Sequence, residues 1–151
     1  MDKDYERAGT YFESASATLA AEGESDWGPI WGKQLVARYQ RRPQEAKKNA
    51  IALIELMRVR SIDDWFRALM IVDAMVDIKE ANNWTMAQTR EHVERLFLDK
   101  PVGDSHKQRN EWVMQRAFVL TQDDQPAARK HAWELISDAT FKSQMPSHSR
   151  R

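Results

Sequence analysis

Apolar residues recur along this chain at steps of three and four with polar residues between them, the spacing of amphipathic helices rather than strands. Tyr5, Ala8, Phe12, Ala15 and Leu19 line one stripe of a first helix, which Gly23 ends. A loop rich in Gly and Pro follows, Gly23 to Gly32, and carries Trp27 and Trp31. A short helix is expected from Ile30 to Gln40, stopped ahead of Pro43 because a residue before proline avoids helical geometry. Pro43 suits the first turn of the next helix, which turns Ala46, Ala50, Leu53, Ile54 and Met57 inward.

Ser61-Ile-Asp-Asp64 reads as the capped start of the most apolar helix, running to about Ala81. Its inner face is placed at Ile62, Trp65, Ala68, Leu69, Val72 and Val76, widened by Ile71, Met75 and Ile78. Asn82-Asn83 breaks it. Thr85 with Gln88 and Ser105 with Gln108 then form two more capping boxes. The first of these opens a helix burying Met86, Val93, Leu96 and Phe97; the second opens one burying Val113, Met114, Ala117, Phe118 and Leu120. Pro126 falls in the first turn of a last helix, with Ala128, Ala132, Leu135, Ile136 and Ala139 inside. The pattern predicts an all-α fold, a single-domain irregular bundle of about six or seven helices packed around a central helix near 62–80. The domain is expected to span 1–142, with a flexible polar tail at 143–151.

Composition narrows the class. With 151 residues, 42% hydrophobic and 30% charged, the chain can bury a core, and only five Gly and five Pro argue against a turn-rich β fold. The sequence has no cysteine, which removes disulfides, thiolate metal sites and cysteine nucleophiles together. The charged start has no apolar core of a leader segment, and the longest apolar run, Ala68 to Val72, falls far short of the ~20 residues of a membrane span. A cytoplasmic location without membrane contact is expected.

Net charge is zero but unevenly spread. Residues 33–60 carry eight bases against two acids, and Arg38, Arg41, Arg42, Lys47 and Lys48 gather there as a candidate surface for nucleic acid or an acidic partner. Asp73, Asp77 and Glu80, at i, i+4 and i+7, have the spacing of carboxylates that share a divalent cation in a helical phosphohydrolase. They fall on an arc with Asp63 and Arg67, read as the solvent side. None of His92, His106, His131 and His148 lies three or four residues from another, so no zinc pair forms along a helix. No phosphate-binding loop or seryl nucleophile motif is present. Neither a cofactor nor a small-molecule ligand is predicted, and the chain is read as non-catalytic.

Six tryptophans are many for this length. Trp27 and Trp31 in their loop, and Phe66 and Met70 on the otherwise polar arc of the central helix, are candidates for partner contact or self-association. The leading expectation is therefore a helical interaction protein, an accessory, adaptor or assembly factor working through protein contacts. A nucleic-acid-binding regulator or packaging component comes second and a metal-dependent phosphohydrolase third.

Overall fold

A computed structural model describes residues 3–23, 26–59 and 64–144. Within them lie seven helices and no strand: α1 (Lys3–Ala21), α2 (Trp27–Tyr39), α3 (Pro43–Val59), α4 (Asp64–Asn82), α5 (Met86–Phe97), α6 (His106–Leu120) and α7 (Pro126–Gln144). The protein is all-α. The cap expected at Ser61–Asp64, the side chains of Trp65 and Ala139, and the tail from 145 onward lie outside the described residues. Two compact units emerge, Met1–Ile62 with Leu69–Trp84 and Asp63–Ala68 with Thr85–Arg151.

In the first unit, α1 packs on α2 and α2 on α3. The α1–α2 seam is antiparallel, as its pairs show. Tyr5 stacks on Tyr39 with ring centroids 5.5 Å apart, and Lys33 pairs with Glu13 at 3.7 Å. Next to the Lys33–Glu13 pair the ring of Phe12 presses on Gly32, where a Cβ would stand only 2.5 Å from the ring edge. Gly32 is there because the ring needs the space a side chain would fill. The apolar residues of α3 named above, Ala46, Ala50, Leu53, Ile54 and Met57, are all buried, as the periodicity predicts.

Helix α2 begins at Trp27, three residues earlier than the periodicity suggests, so the supposed tryptophan loop is helical. Asp26 explains the shift: its carboxylate accepts the Trp27 N–H at 2.7 Å and caps the helix. Pro29 does not interrupt the helix because it lies among the first four residues, whose N–H groups have no helical acceptor. At the other end Arg41 takes a left-handed conformation, φ 57°. The Arg42 N–H then reaches Ala37 O at 2.8 Å and the Arg41 N–H reaches Arg38 O at 3.0 Å, closing the helix with a Schellman motif. Helix α4 ends the same way, with Asn83 at φ 53° and the Trp84 N–H on Lys79 O at 3.1 Å.

In the second unit, α6 packs on α7 around Ala117, Leu120, Ala128 and Ala132, with Leu135 and Ile136 against them. Both expected capping boxes at its helix starts are complete, Thr85 with Gln88 and Ser105 with Gln108. The face of α4 is rotated from the one expected. Met70, Ala74 and Asp77 are buried beside Ile71, Met75 and Ile78, whereas Leu69 and Val76 are exposed. Leu96 and Met114, expected inside, are exposed as well. Hydropathy turns an Asp outward, and α4 turns instead to bring Asp77 to a cation on α2.

Candidate functional site

That cation is Arg38. Its Nε donates to Asp77 Oδ1 at 2.9 Å and its Nη2 to Asp77 Oδ2 at 2.8 Å, a bidentate grip on a residue only 2% exposed. The same Nη2 reaches the Asp73 carboxylate at 3.0 Å and its backbone carbonyl at 3.2 Å. Gln34, one turn earlier on α2, donates its amide to Asp77 at 2.7 Å and to Asp73 at 3.1 Å. Hydrogen bonding to Asp77 raises the basicity of Arg38 above the ordinary guanidinium value, against the opposing pull of burial.

This geometry corrects the placement of Asp73 and Asp77 on the solvent side. Both carboxylates are held by Arg38 and Gln34, while Glu80 remains exposed. Among the described residues no group of three or more His, Cys, Asp or Glu is placed to hold a metal ion. Nothing in the spacing of the acids alone announces this: the deciding residue lies 35 and 39 positions away on another helix.

The basic segment is also divided. Besides Arg38, Lys47 donates to Asn82 at 3.1 Å and Arg42 sits 3.6 Å from Glu45. Arg41 and Lys48 are exposed, at the end of α2 and on α3 respectively. The five cations thus do not form one open surface, since one is committed to a buried aspartate and another to an asparagine.

The aromatic candidates are likewise sorted by burial. Trp27 and Trp31 are half-buried with rings 6.1 Å apart, and Phe66 is half-buried. Met70 is 6% exposed, so its side chain is not at the surface where a partner could meet it. The rotation of α4 toward Arg38 carries it inward.

A residue of α7 stands out instead. Trp133 is 71% exposed, the largest value among the exposed large apolar side chains of the described residues. Its flanks are charged: Lys130 and Glu134 lie 3.9 Å apart, and Arg129 pairs with Asp124 at 3.3 Å. The sequence carries a signal for it, because Trp133 falls outside the arc of Ala128, Ala132, Leu135 and Ile136 that builds the inner face. Leaving an indole in water forgoes about 2–3 kcal/mol of burial.

The second unit has its own charge network. Arg90 donates to Asp123 at 3.0 Å and to Glu94 at 2.9 Å, and Arg116 reaches the other Glu94 oxygen at 3.0 Å. Asp123, 1% exposed, also accepts the Gln125 N–H at 2.9 Å and so shapes the α6–α7 turn. Burial works against the charge of Arg90, but hydrogen bonds to Glu94 and Asp123 outweigh it and the net shift is upward. Trp112 donates to Leu98 O at 2.9 Å and lies under the Arg116 guanidinium, a packing role. Among the described residues no helix is long and apolar enough to cross a membrane. Comparison with protein-family models, with curated proteins and with solved structures gives no match for this chain.

Proposed function

We propose that this protein is a non-catalytic interaction protein, an accessory or assembly factor that binds another protein through the outer face of α7. The exposure of Trp133 carries the reading. Tryptophan is enriched among the few residues that dominate binding energies, and a rigid aromatic ringed by charged side chains has the make-up of such an anchor and its rim. Support comes also from the candidate chemical groups elsewhere: the carboxylates of Asp73, Asp77, Glu94 and Asp123 are engaged by arginines of the same chain. A cytoplasmic setting is part of the proposal, since a cysteine-free chain draws no stability from an oxidising compartment.

A photoreactive amino acid placed at Ser137, exposed and one turn beyond Trp133, tests this in the cells that make the protein. Discrete protein adducts are expected from Ser137, to be lost on Trp133→Ala, and absent from a control probe at exposed Ala52 of α3. Adducts equal at both positions, or none at Ser137, would sink the idea.

A further inference from the structure

We infer that the partner of this face is a second copy of the same chain, with two α7 helices packed antiparallel about a two-fold axis at Trp133. The inference rests on the interaction reading above and goes further by naming the occupant. The pattern of charge along α7 is what selects it. At 100° per residue, Pro126, Lys130, Trp133 and Ser137 share one outward stripe, and all four are exposed. Glu134 and Asp138, also exposed, continue the flank on which Lys130 lies, at i+4 and i+8 from it.

Along the axis each residue rises about 1.5 Å, so Lys130 lies about 4.5 Å before Trp133, and Glu134 and Asp138 about 1.5 and 7.5 Å after it. A two-fold axis across the helix at Trp133 reverses these offsets and keeps each flank facing its own copy. Lys130 of one chain then falls midway between the partner's Glu134 and the partner's Asp138, and the converse contact repeats on the other side. A parallel pairing, whose two-fold axis runs along the helices, exchanges the flanks, so Lys130 faces the side that carries the partner's Arg129 and neither Glu134 nor Asp138. In the antiparallel arrangement Ser137 lies beside the partner's Lys130, on the same flank and about 1.5 Å from it in height, and is small enough to leave room for its long stem.

Within the single chain Lys130 and Glu134 are only weakly engaged with each other. Lys130 and Glu134 meet only at 3.9 Å with side chains 79% and 61% exposed, the kind of surface pair that contributes little and re-forms readily across an interface. One helix face sits at the small end of specific interfaces, so the expected dimer dissociates in roughly the micromolar range.

Sedimentation equilibrium of the full chain over rising concentration tests this, with circular dichroism confirming that each variant is folded. The wild type is expected to show a monomer–dimer equilibrium, weakened at least about tenfold by Trp133→Ala and by Ser137→Lys, which puts a second cation beside the partner's Lys130. Lys130→Glu alone, and Glu134→Lys with Asp138→Lys alone, should each be monomeric. Mixed, they should form a heterodimer, because each then supplies the charge the other lacks. A wild type monomeric at every concentration overturns the inference, as do charge variants that dimerise alone or fail to pair on mixing. If the wild type is monomeric while the Ser137 probe still captures a different protein, self-pairing is wrong and α7 remains a protein-binding face. A monomer with no adduct at Ser137 removes both.

Discussion

Each unit of the protein contains one aspartate withdrawn from water and paired with an arginine, yet the two networks are balanced differently. In the first, Arg38 is a single cation serving Asp73 and Asp77, with the Gln34 amide as the other donor. In the second, Arg90 and Arg116 both hold Glu94, Arg90 also holds Asp123, and Asp123 has a backbone N–H besides. Helix ends differ in parallel. The described non-glycine residues in left-handed conformation, Arg41 and Asn83, both belong to the first unit, while both complete capping boxes belong to the second. The comparison teaches that a buried charge is secure in proportion to the number of independent partners it keeps when one is lost.

The largest expected effect follows from that rule. Arg38→Met should cost about 4 kcal/mol, because two neighbouring carboxylates are left with one amide between them. Urea unfolding measures the loss, and amide exchange should locate it in α2 and in residues 70–78; an effect no larger than that of Arg90→Met would break the comparison. Arg90→Met is expected to cost about 2 kcal/mol, since Glu94 keeps Arg116 and Asp123 keeps the Gln125 N–H. Thr85→Ala removes the cap of α5, at a cost of about 1 kcal/mol by the same titration. Smallest, and opposite in sign, Arg41→Gly should raise stability by up to about 1 kcal/mol, seen as a higher melting temperature, because glycine takes φ 57° without the Cβ conflict. A neutral or destabilising Arg41→Gly would mean that the turn is held by the arginine side chain rather than strained by it.

Much of the helical framework was legible in the spacing of apolar residues and in the three helix starts at Pro43, Thr85 and Ser105, because those signals are local. The start of α2 was missed for a local reason too. Asp26 as cap outweighs the loop-like composition of Gly28 and Pro29, and Pro29 is harmless where it falls. What hydropathy could not show was the face of α4. It placed Leu69 and Val76 inside and Asp77 outside, whereas a cation on a distant helix reverses the roles of Val76 and Asp77 and pulls Met70 in with the aspartate. The same blindness hid the division of the basic segment, since only the fold decides which cations spend their charge internally. Trp133 was accessible to the sequence, as a residue off the inner arc of its own helix.

The seam between α1 and α2 has a kinetic consequence. No described side chain of α1 is fully buried; the helix is fastened by Phe12 against Gly32, by the Tyr5–Tyr39 stack and by the Lys33–Glu13 pair. An element with no fully buried side chain is expected to open at low free energy and to dock late in folding. Gly32→Ala, which obstructs that docking, should therefore quicken unfolding while leaving the refolding rate nearly unchanged. The first helix is in this sense a latch, added to a helical core that assembles before it.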